Sequence, residues 1–534
     1  MSSTTTVNRS QTPPTPRTVP GAARRAVIAL AAVEAFRLLR HPAVLGAFAL
    51  YLAPWAYEAS TGDAAHRFPV LQDASWSSQP ILLVVAAGTL LAANLAALRA
   101  QRHGVAALYE VLVLTKGQRT TAHLLSLLPV TVLSGAVAVG RMFYLAGKAG
   151  AVGHVQPLEV AAGPLCVLLA GVIGILLARL STSAAVAPLA LAGLGIMSFV
   201  AAVNNTASWR WLGLIAIESE IAAPLPADLA GRPAGAHALW LSALAVLLAV
   251  VALMRSGVRS LTLKATGSLA LVAAVAAAGV QLGGVPASTL RARAEATRHP
   301  VKYETCSTIG NVSYCSFPDF SGWGAQWAHV AQGILSRTPP DVSTAHYFIR
   351  QRIFSGGDAG TPLPPPLSTW QQDDLAAHTP DAVTVGTDWG EGSAAGDRSS
   401  DAVIDFAAEF AFRVVTGKVP GQSRLTMLCR SPSVLVLWLA AQSTAGTQDA
   451  FMSMVRRSSG GLSLPLLGSA AGLTFNAREE ALVLDLLHRP AGEVAARVRA
   501  SWAELAASAT STDRAAEILG VPAPDRALAE GSRC

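Results

Sequence analysis

Long stretches without a central charge dominate the first half of the chain. Seven of them cover residues 43–59, 80–98, 122–140, 160–178, 184–203, 237–254 and 267–284. A helix rising about 1.5 Å per residue needs about 20 apolar residues to cross the hydrocarbon of a bilayer. The pattern therefore predicts an α-helical polytopic membrane protein with about seven transmembrane helices. After residue 285 the pattern changes. Runs of that length stop, and shorter periodic segments predict helices over 323–336, 400–416, 432–443, 477–487 and 491–507. The apolar run 434–441 is too short to span and reads as a buried core helix. Strand-like alternation is sparse, so a mostly helical soluble domain is expected. The proline-rich stretch 360–368 reads as a rigid turn or linker, and the glycine- and serine-rich stretch 385–400 as a loop.

These changes give four segments. Residues 1–22, rich in Pro and Thr, read as a disordered cytoplasmic tail. Residues 23–41 carry Arg24, Arg25, Arg37 and Arg40 and read as an amphipathic helix lying on the membrane surface. Residues 42–284 are the expected transmembrane domain, and 285–534 the expected extracytoplasmic soluble domain.

Composition agrees with a membrane chain. Of 534 residues 52% are hydrophobic and 14% charged, where soluble chains carry about a quarter charged residues. The net charge of +7 is explained by basic loops facing anionic lipid, so nucleic acid is not expected as a partner. With the N-terminus inside, Arg99, Arg102, Lys116, Arg119, Arg179, Arg255, Arg259 and Lys264 join the N-terminal arginines on the cytoplasmic side. The opposite loops hold Arg67, Arg141, Lys148, Arg210 and Arg232, with Glu218, Glu220 and Asp228. The bias favours a cytoplasmic N-terminus in the plasma membrane, and an odd number of spans puts 285–534 outside. Arg291, Arg293, Arg298 and Lys302 just after the last run point the other way, although long translocated domains largely escape the charge rule. If 267–284 does not span, the domain is cytoplasmic.

Catalytic chemistry is not evident. Cys306 and Cys315, nine residues apart in a loop-like TCSTIGNVSYC, permit a small disulfide loop in an oxidising compartment. Cys166 sits in an apolar run, and Cys429 and Cys534 have no evident partner in the sequence. His299, His329, His346, His378 and His488 give no H-E-x-x-H, so no metal site is predicted. Asp374 and His378 make at best a helical i,i+4 pair. The stretch Gly461-Leu462-Ser463-Leu464-Pro465 lacks the second glycine of a nucleophile elbow, and Thr416-Gly417-Lys418 is not a phosphate loop. The chain has no route of its own to ATP hydrolysis, and no cofactor is expected. Tyr303, Tyr314, Phe317, Phe320, Trp323 and Trp327 read either as a core nucleus beside the cysteines or as an apolar platform for cargo. Pro164, Gly171 and Gly174, and Pro188, Gly193 and Gly195, allow kinks and close helix contact. Residues 209–217 read either as an interfacial aromatic belt or as a short re-entrant helix.

Between the second and third runs stands RAQRHGVAALYEVLVLTKGQRTTAHL. It resembles the cytoplasmic coupling segment of type-2 ATP-binding-cassette exporter permeases, particularly those of actinobacteria. Gly104, Leu108, Tyr109, Leu112, Arg119, Thr120, Ala122 and His123 fall at matching positions, while Val113 stands where that family often has proline. Glu34–Pro42, EAFRLLRHP, is similar to the family's surface helix. The resemblance covers roughly residues 30–260. It implies a permease subunit that exports a small molecule, lipid or peptide, pairs with a second permease subunit, and is powered by ATP on a separate ATPase subunit. Leu108, Tyr109 and Leu112 would form the docking face on that ATPase, flanked by Arg102 and Arg119. The family has six spans, so a seventh and an added external domain depart from it. A membrane-anchored extracytoplasmic sensor or binding protein, and a membrane-tethered hydrolase, are the alternatives from other classes.

Overall fold

The computed structural model describes residues 21–61, 68–102, 114–203, 212–214, 224–353, 367–389, 398–420, 425–458, 460–465 and 472–525. The N-terminal half is helical: α1 (Ala22–Leu39), α2 (Pro42–Thr61), α3 (Leu71–Arg102), α4 (Lys116–Leu125), α5 (Leu128–Ala146), α6 (Pro157–Leu180), α7 (Val186–Val203), the single turn α8 (Ala227–Ala230), α9 (Ala234–Arg255), α10 (Leu261–Leu282) and α11 (Ala287–Arg298). Among the described residues five helical stretches are long and apolar enough to cross a membrane: Leu71–Arg102, Lys116–Ala146, Pro157–Leu180, Ala234–Arg255 and Leu261–Arg298. They contain five of the seven runs expected from sequence. The other two runs are helical but are not among those five. In α2 the last turns hold Trp55, Tyr57 and Glu58, and Glu58 binds Arg141 at 2.7 Å and Lys148 at 3.1 Å. In the α7 region, Val186–Val200 is apolar but shorter.

Helices α3 and α6 form the centre of the bundle, with α9 against α6 and α10 outermost against α9. Small residues allow this packing. A Cβ on Gly174 would collide with the backbone oxygen of Leu90 in α3, so α3 and α6 touch backbone to backbone. Gly193 and Gly195 in α7 have open space beside them within this chain. Helix α1 departs from a simple surface helix. It packs against α4, α5 and α3, burying Ala31, Glu34, Ala35 and Leu38 while Ile28, Val33 and Phe36 are exposed. Its acid and several small apolar residues face inward, while Ile28, Val33 and Phe36 face outward. Residues 1–20 of the expected tail lie outside the described residues.

The region from residue 305 onward alternates helices and strands: β1 (Thr305–Ile309), β2 (Val312–Ser316), α12 (Gly324–Leu335), α13 (Pro340–Ser343), β3 (Tyr347–Arg352), α14 (Leu367–Ala376), β4 (Val383–Gly386), α15 (Arg398–Thr416), β5 (Leu425–Leu428), α16 (Arg430–Ala441), α17 (Ala445–Arg457), β6 (Leu462–Pro465), β7 (Gly472–Phe475), α18 (Ala477–Leu487), α19 (Ala491–Ala500), α20 (Trp502–Ala506) and α21 (Thr512–Leu519). The region is mostly helical, as expected, but it also holds two small sheets that the sparse alternation did not announce. One has the order β1-β2-β3-β4, an antiparallel hairpin continued by parallel strands; the other is β5-β7-β6. The expected loop at 306–315 is the hairpin itself, turning at Gly310 with φ +64°. Val385 and Gly386, expected in a loop, end β4.

Helix α16 is buried from Ser431 to Ala441 and lies in one continuous apolar core with α15, α12 and both sheets. That core also takes in Val70, Val152, Leu225 and Leu229 from segments that cap the helical bundle. The two halves are thus joined by shared packing. Trp323 donates to the Gly150 carbonyl at 2.9 Å, Ala227 N–H donates to Asp319 at 2.7 Å, and Arg293 donates to the carbonyls of Leu229 and Ala230.

Candidate functional site

At the end of the bundle where α3 leaves and α4 returns, several elements converge. Of the sequence-predicted coupling residues, Gly104, Leu108, Tyr109 and Leu112 lie outside the described residues, which flank them at Arg102 and Leu114. Arg102 is exposed at the last residue of α3. Arg119 is half-buried in α4, whose first turn is closed by a capping box between Thr115 and Gln118. That box satisfies backbone donors which a helix start otherwise leaves open. Helix α4 is then braced on three sides. Thr120 and Ser256 share a hydroxyl hydrogen bond of 2.7 Å that ties α4 to the end of α9. Helix α1 packs along it, and Glu34 on α1 binds Arg99 of α3 at 2.9 Å and Arg37 at 3.2 Å. His123 and Arg179, the latter at the end of α6, lie within electrostatic reach of Arg119.

The opposite end holds a second polar cluster under the C-terminal region. Arg232 binds Asp73 at 2.5 Å and reaches Glu159 at 3.4 Å. Gln79 donates to the Glu159 carbonyl at 3.1 Å, and His237 pairs with Gln281 at 2.9 Å. Trp76, Gln79, Glu159, Arg232 and His237 line part of a small, mostly apolar cleft between α3, α6 and α9. Of the expected re-entrant segment 209–217, residues 212–214 are described, and the Leu214 carbonyl accepts from the Cys166 thiol at 2.6 Å.

No protein-family model, no curated protein and no solved structure matches the chain. The chemistry of its sites is therefore read from its own residues.

In the C-terminal region Cys306 and Cys315 face each other across β1 and β2 and are disulfide-bonded. Cys429, for which the sequence suggested no partner, is disulfide-bonded as well. The aromatic residues Tyr314, Phe317, Phe320, Trp323 and Trp327 are buried in the core, with Tyr303 packed against it. They are part of the packed core, and as described they present no open platform. Asp374 does not pair with His378. It binds Arg352 at 2.5 Å and lies 3.7 Å from Arg350, while His378 lies beyond the end of α14 in a left-handed conformation, φ +58°. His346 is exposed and hydrogen-bonds Ser313 at 3.1 Å. Among the described residues no group of three or more His, Cys, Asp or Glu side chains could hold a metal. Ser463 is exposed in β6.

Sequence reasoning missed a buried ionic knot on β3. Arg350 binds Glu304 at 2.6 and 2.9 Å and the Thr379 hydroxyl at 2.8 Å. Arg350 and Arg352 are 2% and 1% exposed. Burial outweighs the attraction of Arg350 and raises the Glu304 pKa to about 7. Burial likewise raises Asp374 against the pull of Arg352. Glu409 on α15 accepts from the Thr384 amide at 3.0 Å, and burial raises it to about 8. Two guanidinium groups set against two carboxylates, with the Thr379 hydroxyl bonded between, cross-link the elements that carry them. They fix α14 and the segment before β1 onto the sheet.

Proposed function

We propose that this chain is the membrane-spanning permease subunit of an ATP-binding-cassette exporter, without catalytic activity of its own. It works as a dimer of permease subunits driven by separate ATPase subunits that consume ATP. Helices α2, α3, α4–α5, α6, α7, α9 and α10 make seven passes, with the N-terminus cytoplasmic and the disulfide-bonded C-terminal region outside the cell. The cargo is a small molecule, lipid or peptide, moved outward when ATP binding closes the partner domains.

The observation that carries this reading is the bracing of α4. A coupling segment is useful only if its displacement moves the spans, and α4, packed against α1 and hydrogen-bonded to the end of α9, follows immediately after the segment that resembles one. Two disulfide-bonded sites in the C-terminal region support an oxidising location for it. The test replaces Leu108, Tyr109 and Leu112 together with Asp. The detergent-solubilised chain is expected to lose at least ten-fold of its co-purifying ATPase while its melting temperature stays unchanged. Undiminished co-purification would remove the coupling role.

A further inference from the structure

Cys429 stands at the corner where β5 ends and α16 begins. It is half-buried and disulfide-bonded. Four other cysteines occur in the sequence. Cys166 is a free thiol buried in α6, where it donates to the Leu214 carbonyl at 2.6 Å. Cys306 and Cys315 are bonded to each other. That leaves Cys534. The packing brings the right part of the chain to the corner. Glu479 accepts a hydrogen bond from the Arg430 amide, beside Cys429. Its neighbour Arg478 donates to the Pro524 carbonyl at 3.4 Å and pairs with Asp513. Ser431 is held by the carbonyls of Thr510 at 3.1 Å and Leu505 at 2.8 Å. Pro524 is thus linked through Arg478 and Glu479 to the residue next to Cys429. Residues 526–534 lie outside the described residues. Nine residues span at most about 30 Å. Two side chains separate Pro524 from the corner, so that reach suffices.

We infer that Cys429 and Cys534 form a second disulfide, a clasp that fastens Cys534 to the β5–α16 corner. Its formation takes two protons and two electrons from the two thiols. The oxidant is a disulfide of the thiol-oxidoreductase class, which exchanges with them through a mixed disulfide and leaves as a dithiol. The ring so closed contains α16 to α21 with β6 and β7. A cross-link over so long a stretch removes more freedom from the unfolded chain than the short one between Cys306 and Cys315. The clasp therefore restrains the part of the C-terminal region that surrounds the buried helix α16. It does not depend on the exporter reading, and it requires that this region mature in an oxidising compartment.

The test is peptide mapping of the purified full chain, with free thiols blocked by iodoacetamide before denaturation and again after reduction. An endoprotease that cuts before aspartate places Cys429 in the fragment 405–448 and Cys534 in the fragment 525–534. Without reduction these two fragments are expected as one cross-linked species, and reduction should release both. Cys306 and Cys315 should be blocked only after reduction. Cys534 found blocked before reduction, or Cys429 joined to any other cysteine, including one of a second copy, would overturn the clasp while a bonded Cys306–Cys315 left the location of the region standing. Free thiols at all four positions would overturn the clasp and the external placement together. Melting in detergent gives a second reading. Cys429→Ser and Cys534→Ser are each expected to lower the melting temperature by several degrees, and the double variant to fall no further than the lower of the two. Additive losses, or a loss in one single variant alone, would overturn the shared bond.

Discussion

Arg350→Met is expected to destabilise the C-terminal region by about 3 kcal/mol at pH 8, because it leaves a buried carboxylate without its partner. Methionine keeps much of the side chain's length, so the loss reads the charge more than a cavity. The carboxylate concerned is Glu304, whose side chain is 0% exposed. At pH 5.5 the loss should be smaller. Burial already holds Glu304 near a pKa of about 7, so at the lower pH the group is neutral with or without Arg350. Unfolding of the full chain, followed through the buried indoles of Trp323, Trp327 and Trp389, should show a fall of roughly 6 to 12 °C at pH 8. The double variant Glu304→Gln with Arg350→Met should recover much of it, since a neutral pair carries no desolvated charge. Equal losses at both pH values would show that the ion pair is not what Arg350 contributes.

Glu409→Gln is expected to act in the opposite direction. A carboxyl whose folded pKa is raised binds more protons folded than unfolded. Its contribution is fully present below the unfolded value of 4.5 and is lost as pH rises toward about 8. The native chain should therefore lose stability across that window and level off above it. Glutamine keeps the oxygen that accepts from Thr384 and cannot ionise. The variant should match the native chain near pH 5 and exceed it by a few kcal/mol at pH 8, each pKa unit being worth about 1.4 kcal/mol. A residual slope should survive, because Glu304 and Asp374 are raised by burial too. Parallel melting curves for the two proteins from pH 5 to 8 would mean that Glu409 stays ionised in its buried place.

How much of this was readable from the sequence varies with the interaction concerned. Long apolar runs announce membrane-length helices directly, because hydrocarbon thickness sets their length, and five of the runs lie in such helices. Helix α18 coincides with its expected bounds because Asn476 caps it and the apolar spacing inside is regular. The hairpin was legible and was read as a loop. Thr305, Thr308, Ile309, Val312 and Tyr314 favour strands, and Gly310-Asn311 divides them, but serines and cysteines between masked the alternation. Strand β3 was harder. Its last residues, Arg350-Gln351-Arg352, look solvent-exposed, and they are buried because Glu304 and Asp374 meet them from 46 and 22 residues away in the chain. No local pattern encodes such a pairing.

Protease accessibility tests the arrangement most directly. Trypsin added to intact cells should cut the C-terminal region after reduction of its disulfides and leave the segment between Arg102 and Lys116 untouched. Inverted membrane vesicles should show the reverse. A C-terminal region protected in cells and cleaved in inverted vesicles would contradict both the seven passes and the external placement of that region.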